Sequence, residues 1–213
     1  MSHVVVIGGT GYAGRHIVAE AVQRGHDVVA VARTAPTDPV PGATYVEGSA
    51  LDLAALEEVL AGADVVVSAL SPRGDMSDRV LDALQGLVDR LTGTSTRLGV
   101  IGGAMGSLSA PGGPRLWDLG VPEEYRHEAQ VGIDSLALLE ASDEGLDWFL
   151  VHPPRSFGAW VPGVRTGRYR IGGEVVVEDA AGNSEISGAD LAVAIVDEIE
   201  RPAHRRARFT VGY

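Results

Sequence analysis

The chain has 213 residues, of which 45% are hydrophobic, enough for one domain with a full core that we expect to span residues 1–213. Its net charge of −12 argues against binding to nucleic acids or anionic membranes, because both require a basic face. It has no cysteine, which excludes disulfides, thiolate nucleophiles and cysteine metal sites. All 17 basic residues are arginine, which excludes every mechanism that needs a lysine.

The distribution of apolar residues along the chain also predicts where the protein resides. An apolar strand begins by residue 4, so no signal peptide is visible, and no apolar run approaches the roughly 18 residues of a membrane span. We therefore expect a cytoplasmic protein. Burial against the protein's own sheet explains the apolar helix faces, so we expect a monomer or a weak homodimer, and we predict no metal site.

The first 33 residues follow the pattern of a βαβ unit. Residues 4–7 (VVVI) form a β-branched run typical of a strand buried on both faces, and the glycine turn 8–14 (GGTGYAG) follows at once. An amphipathic helix is predicted next, ended by Gly25, before a second apolar strand at 28–32. The turn matches both G-x-G-x-x-G and G-x-x-G-x-x-G. A glycine turn between a strand and a helix presents backbone N–H groups to a dinucleotide pyrophosphate, so the sequence predicts a dinucleotide site.

The end of the second strand indicates which dinucleotide is bound. A carboxylate there would hydrogen-bond the ribose hydroxyls of NAD and repel a 2′-phosphate. The chain instead has Arg33 followed by Thr34, with no carboxylate before Asp38. Because a guanidinium can form two hydrogen bonds with a phosphate, we favour NADP(H) over NAD(H). The alternative for Arg33 is a solvated surface arginine without a ligand.

The rest of the chain alternates strands and helices. Strands are predicted at 44–47, 63–69, 98–101, 146–151 and 209–211. Helices are predicted from about Asp52 to Leu60, Ser77 to Leu91, Glu123 to Ser142, and from a Ser187 cap to Glu200. Residues 104–121 form a long loop, and residues 155–186 form a Gly-rich, hairpin-like excursion on the substrate side, in which 169–171 and 175–177 are strand-like. The order predicts one α/β domain: a Rossmann-like, doubly wound parallel sheet with helices on both faces and a small C-terminal excursion.

In such a sheet the ligand lies outside the carboxyl ends of the strands. The residues that follow each strand are therefore candidate contacts. We expect Ser49, Ala50 and Leu51 near the adenine, and Ala69, Leu70 and Ser71 near the adjoining ribose. We expect Gly102, Gly103 and the Pro153-Pro154 pair near the nicotinamide; the alternative at these positions is ordinary turn chemistry.

Several of these segments together resemble a known family. The segments that carry this resemblance are the glycine turn, Arg33, 152–154 (HPP), 166–169 (TGRY), 186–192 (ISGADLA) and the final Tyr213. Through them the chain resembles the atypical short-chain dehydrogenases, in particular the group that contains the flavin reductase/biliverdin-IXβ reductase and its NmrA-like and NADH-flavin-reductase-like relatives. The resemblance implies NADP(H) binding and hydride transfer to a flat conjugated acceptor such as a flavin, quinone or tetrapyrrole. The cofactor contacts it implies are Gly8, Thr10, Gly11, Tyr12, Ala13, Gly14 and Arg33. Two departures are Ser49, where the group often has aspartate, and Gly103-Ala104, where it often has serine.

The residue that would donate a proton is not fixed by the sequence. Ordinary short-chain dehydrogenases use a Tyr-x-x-x-Lys pair, whereas Ala129 stands four residues after Tyr125 here. Tyr125 and His127 are the candidate catalytic residues at the start of their helix, because an imidazole exchanges protons near neutral pH. The alternative for both is an exposed helix residue, and His152 is expected to pack or hydrogen-bond at a strand end.

Three functions remain after this reasoning. The first is an NADPH-dependent reductase of a small conjugated acceptor, for which water can protonate the product. The second is a non-catalytic NADP(H) sensor of the NmrA-like type, which the missing tyrosine–lysine pair favours. The third, a sugar-nucleotide epimerase or dehydratase, needs that pair and a larger substrate region, and the sequence argues against it.

Overall fold

A computed structural model describes residues 1–161 and 163–213, and its centre is one eight-stranded sheet with the order β3-β2-β1-β4-β5-β6-β8-β7. All neighbouring strands pair in parallel except β7, which pairs antiparallel with β8. The strands are β1 His3–Ile7, β2 Asp27–Ala32, β3 Thr44–Glu47, β4 Val65–Ser68, β5 Arg97–Ile101, β6 Trp148–His152, β7 Arg170–Gly173 and β8 Ala207–Gly212. The chain order reverses between β1 and β4, and this is the switch point where a doubly wound sheet opens a crevice.

Helices cover both faces of the sheet, as predicted. They are α1 Tyr12–Gln23, α2 Glu57–Leu60, α3 Val80–Leu91, α4 Glu123–Glu140 and α5 Gly188–Glu200. Helices α1 and α5 pack in one core with Val4 and Val6 of β1, while α3 and α4 pack in the other with Val5 and Ile7. Successive residues of β1 thus enter opposite cores, which explains why a central strand is apolar throughout. Among the described residues, no helix is long and apolar enough to cross a membrane.

Two predicted helix starts are wrong. The helix predicted from Asp52 is only the short α2. The Asp52 carboxylate does accept from the amide of Ala55 at 3.2 Å, which is the bond of a helix cap. The next turns close with i→i+3 bonds, from the amide of Leu56 to the carbonyl of Leu53 at 3.2 Å and from that of Glu57 to that of Ala54 at 3.3 Å, so the regular helix begins only at Glu57. The helix predicted from Ser77 begins at Val80, after a 3₁₀ turn at Gly74–Met76.

The predicted hairpin in the excursion is also wrong. Strand β7 pairs with β8, and residues 175–177 do not return along β7. The Gly172 carbonyl accepts from the Val175 amide at 3.0 Å, and Gly173 has a φ of +62°, so the chain reverses after β7. Residues 175–177 pack against β8, where the hydroxyl of Thr210 donates to the carbonyl of Val175. The Val176 amide then donates to the carbonyl of Leu108 at 2.9 Å, which ties the excursion to the long loop after β5.

The predicted ends of α1 and α5 are confirmed. Gly25 follows α1 with a φ of +80°, the left-handed conformation that glycine adopts without strain. Ser187 caps α5, because its hydroxyl accepts from the amide of Asp190 at 3.0 Å.

Candidate cofactor site

The glycine turn after β1 is held by the strands on either side. The amides of Gly8 and Gly9 both donate to the carbonyl of Val31, at 2.9 and 3.1 Å. A Cβ atom on Gly8 would lie 2.9 Å from the carbonyl oxygen of Ala69, and one on Gly9 would lie 2.7 Å from the Cβ of Ala30. Both positions therefore require glycine, and the turn is fixed between β2 and β4.

The N-terminus of α1 fits an anionic group. Gly11 precedes the helix without a side-chain cap, and the first turn contains no acidic residue. The amides of Tyr12, Ala13 and Gly14 have no hydrogen-bond partner within the described part of the chain. A Cβ on Gly14 would collide with the carbonyl oxygen of Gly8, so the helix start lies directly against the turn. A pyrophosphate can bind free amides at a helix N-terminus when no side chain blocks its approach, and this helix start meets both conditions.

A pocket of about 250 Å³ opens beside this turn, at the carboxyl ends of the strands around the switch point. It contains most of the predicted contacts on the adenosine side. Those that line it are Gly8, Thr10, Gly11, Arg33, Ser49, Ala50, Ala69, Leu70 and Ser71. Residues chosen because they follow the carboxyl ends of strands therefore do lie together in the fold.

Arg33 lies at the mouth of this pocket. Its side chain is 57% exposed, and Nη1 lies 2.8 Å from Oδ2 of Asp75, whose side chain is 90% exposed. An exposed pair of this kind contributes about 0–1 kcal/mol, so the guanidinium is available to a stronger anionic partner.

Other predicted contacts lie outside the pocket lining: Tyr12, Ala13, Gly14, Thr34, Leu51, Gly102, Gly103 and Pro153. The Tyr12 ring turns to α5, where its hydroxyl accepts from the amide of Gly188 at 3.1 Å. Leu51 instead lines a neighbouring open depression of about 550 Å³ beside α3, which lacks the glycine turn. Gly103 lies against α4, because a Cβ on Gly132 would be 2.8 Å from the Gly103 amide nitrogen.

Tyr125 and His127 both lie near the surface at the start of α4. The Tyr125 residue is 56% exposed. His127 is bound to the segment before α3, with Nε2 2.8 Å from the carbonyl oxygen of Ser77 and 3.3 Å from Oδ1 of Asp78. Neither side chain lines the pocket.

His152 is a buried structural residue, as predicted for a strand end. Burial lowers its pKa to about 4, although a hydrogen bond to the carbonyl oxygen of Gly103 opposes the shift. The imidazole is therefore neutral, and its Nδ1 donates to that oxygen at 2.7 Å. Among the described residues its Nε2 has no hydrogen-bond partner.

Arg73 lines the pocket at the end of the loop 69–73, which the carboxyl-end rule nominated, although no particular contact was predicted for it. The lining residues outside the nominated loops are Ile7, Val31, Ala32, Gly48 and Met76. Arg73 binds Glu128 of α4, with Nη2 3.1 Å from Oε2, and its guanidinium carbon lies 5.5 Å from the ring centroid of Trp160. Its place shortly after β4 was the available signal. The pairing with Glu128 and Trp160 depends on tertiary structure and leaves no sequence pattern.

Comparison with known proteins agrees with this geometry. A model of an NAD(P)H-binding family matches residues 8–202, and the chain belongs to that family. The fold and glycine turn thus define a Rossmann-like protein that binds a nicotinamide cofactor.

Three solved structures, each covering 100% of this chain, show how relatives have been named. SP1627 of Streptococcus pneumoniae, a candidate NADH-flavin reductase, is 31% identical with a TM-score of 0.88, and 99% of its own chain is covered. A candidate epimerase of Bacteroides thetaiotaomicron is 33% identical with a TM-score of 0.87 and 97% of its chain covered. A candidate exported protein of Burkholderia pseudomallei is 35% identical with a TM-score of 0.87 and 100% of its chain covered. The names differ, so the likeness supports the fold and the nicotinamide cofactor but not one reaction.

Proposed function

We propose that the protein is an NADPH-dependent oxidoreductase that transfers hydride to a small, flat, conjugated acceptor such as a flavin or a quinone. The observation that carries this proposal is the pocket at the switch point, which has the glycine turn on one side and Arg33 at its mouth. The flavin reductase named among the similar structures supports the choice of acceptor class.

The preference for NADPH rests on Arg33. The guanidinium follows β2, where a carboxylate would be needed to hold the ribose hydroxyls of NAD. Glu47, the carboxylate at the end of β3, accepts instead from the amide of Ala35 at 3.2 Å. A 2′-phosphate at Arg33 would form charge-assisted hydrogen bonds that NADH cannot form.

In the proposed reaction the chain mainly binds and orients. A bound reduced nicotinamide supplies the hydride, and a conjugated acceptor delocalises the charge that it receives. The amides at the start of α1 would hold the pyrophosphate, and Arg33 the 2′-phosphate. His152 is buried and neutral, and Tyr125 has no lysine partner, so water would supply the proton to the product. Orientation alone can lower a barrier by about 7–11 kcal/mol.

An exposed aromatic ring supports a flat acceptor. Trp160 is 62% exposed, and it stacks on Arg73, which also lines the cofactor pocket. The ring therefore lies beside the cofactor crevice, in the excursion assigned to the substrate side. Aromatic faces bind planar conjugated molecules through stacking, with about 0.5–1.5 kcal/mol per pair beyond area burial.

A second function is favoured by the positions of Tyr125 and His127. Both lie outside the pocket lining, and the chain has no lysine, so an NADP(H) sensor of the NmrA-like type would use the same cofactor site without turnover. This alternative shares the cofactor with the proposed reductase but has no hydride acceptor.

Anaerobic mixing of the purified protein with NADPH separates the two. Nicotinamide absorbance is followed while FMN, and then a quinone, is added, against a protein-free control and the same experiment with NADH. Acceptor-dependent loss of NADPH well above the control rate supports the reductase. Tight binding of NADPH without loss supports the sensor, and failure to bind NADPH contradicts both.

A further inference from the structure

The mouth of the cofactor pocket is bridged by one ion pair. Arg33 follows β2, and Asp75 lies in the 3₁₀ turn after β4, and these two strands flank β1 in the sheet. The Arg33–Asp75 contact of 2.8 Å therefore joins the segments on the two sides of the switch point. Met76, the neighbour of Asp75, lines the pocket itself, so the carboxylate stands at the pocket's rim.

The other charged residue that lines the pocket, Arg73, is already paired with Glu128. Across residues 1–161 and 163–213, Asp75 is the carboxylate that forms an ion pair with Arg33. Oδ2 of Asp75 accepts a hydrogen bond from the Arg33 guanidinium, as a phosphate oxygen would.

We propose that Asp75 is a specificity-determining residue of the cofactor site, because its carboxylate competes with a ribose 2′-phosphate for Arg33. The inference rests on the proposed role of Arg33 in NADPH binding. A 2′-phosphate must displace Asp75 and is repelled by it, whereas NADH leaves the pair intact. Asp75 thus weakens the preference for NADPH that Arg33 alone would create.

The test is the Asp75→Asn variant, with dissociation constants of NADPH and NADH measured by calorimetry at low salt. We expect NADPH to bind about three- to tenfold more tightly than to the wild type, since an exposed pair and the repulsion together correspond to about that factor. NADH should change by less than about twofold. Two probes without the nicotinamide test the same effect. Asp75→Asn should tighten the binding of adenosine 2′,5′-bisphosphate and leave that of adenosine 5′-monophosphate nearly unchanged.

The matched control is Asp82→Asn, which removes the same charge from a carboxylate of α3 that pairs with Arg79, the residue before the helix. Its ratio of NADPH to NADH affinity should equal that of the wild type. If Asp82→Asn raises the ratio as much as Asp75→Asn does, the effect is one of net charge and the proposal fails.

A double-mutant cycle with Arg33→Ala separates this inference from the proposed function. If Arg33→Ala lowers the ratio, and Asp75→Asn raises it in the wild type but by a smaller factor in the Arg33→Ala background, the competition is supported; an equal rise in both backgrounds shows repulsion alone and overturns it. If Arg33→Ala lowers the ratio but Asp75→Asn alone leaves it unchanged or lowers it, the inference is overturned and the role of Arg33 stands. If Arg33→Ala leaves the ratio unchanged, the NADPH preference itself is refuted, and the role of Asp75 with it.

Discussion

Replacement of Asp190 by asparagine should destabilise the fold where the excursion and the chain end meet α5. Asp190 is fully buried in the first turn of that helix. Its carboxylate accepts from the hydroxyl of Thr166 at 2.7 Å, from the amide of Gly167 at 2.8 Å and from the hydroxyl of Tyr213 at 2.6 Å. Burial by itself raises the pKa of Asp190, but these hydrogen bonds outweigh it, so the pKa lies below its ordinary value.

The size of the loss follows from these bonds. A hydrogen bond to a charged group contributes about 1.5–3 kcal/mol, and the contributions are not additive. An asparagine keeps one acceptor oxygen and turns an NH₂ group towards donors, so we expect Asp190→Asn to cost about 2–4 kcal/mol. For a chain of this length that corresponds to a Tm lower by about 5–15 °C.

Urea unfolding at about pH 7, with the thermal transition beside it, measures this loss. Tyr213→Phe, which removes the hydroxyl that donates to this carboxylate, should cost about 1.5–3 kcal/mol. Asp82→Asn, with a carboxylate that is 63% exposed, is the control and should stay within about 0.5 kcal/mol of the wild type. An Asp190→Asn loss no larger than that of Asp82→Asn would refute the reasoning.

The pH dependence gives an independent check. Because the folded pKa of Asp190 is lowered, its stabilisation is fully present above the unfolded value, about 3.9, and is lost as the pH falls through the folded value. The difference between the wild type and Asp190→Asn should therefore shrink below about pH 4. A difference that grows in acid would contradict the assigned sign.

Three further predictions concern the site and the core. Trp160→Ala should raise the KM for a conjugated acceptor about three- to tenfold without changing the Kd of NADPH. Trp160→Phe keeps an aromatic face and should retain most of the affinity for the acceptor. Equal KM values in the alanine and phenylalanine variants would contradict the stacking role. Tyr125→Phe and His127→Gln should leave kcat within about threefold, since both lie outside the pocket lining; a loss of about a hundredfold in either would identify a proton donor. Glu198→Gln should cost about 3–5 kcal/mol by urea unfolding, because Glu198 pairs with the buried Arg97 at 2.6 Å; a cost below about 1 kcal/mol would contradict it.

The parallel sheet was predictable because its strands carry an unmistakable pattern. Each central strand is apolar on both faces, and the intervening helices have one apolar face, so their alternation implies a doubly wound sheet. The two mispredicted helix starts lie where i→i+3 turns replace the first turns of a regular helix. Asp52 forms the capping bond to the amide of Ala55, but the turns after it delay the regular helix to Glu57.

The excursion could not be predicted for a different reason. Residues 175–177 are β-branched and strand-like, yet Val176 finds its backbone partner in Leu108, far away in the sequence. Propensity specifies that a segment is extended but not which segment it pairs with. Gly172 and Gly173, which turn the chain away from β7, look like any other Gly-Gly pair.

The cofactor side of the site was predictable because backbone atoms make it. Close contacts with neighbouring backbone or Cβ atoms leave no room for a Cβ at Gly8, Gly9 and Gly14. Because these positions require glycine, they form a motif that can be recognised in the sequence. Arg73 and Asp75 form their contacts through exposed side chains that the fold brings together, so the position after β4 indicates that they lie near the site but not which residues they pair with.

The glycine turn and the proposed acceptor contact differ in how they depend on side chains. The glycine turn is fixed by backbone bonds from Gly8 and Gly9 to Val31, which do not depend on side chains. The proposed acceptor contact, Trp160, is an exposed ring that can change without disturbing the sheet. Relatives at about a third identity can therefore share the fold and cofactor while acting on different molecules. For the proposed reductase, the absence of a lysine that could activate a tyrosine means that the acceptor must stabilise the incoming charge by its own conjugation, which favours flavins and quinones over simple ketones.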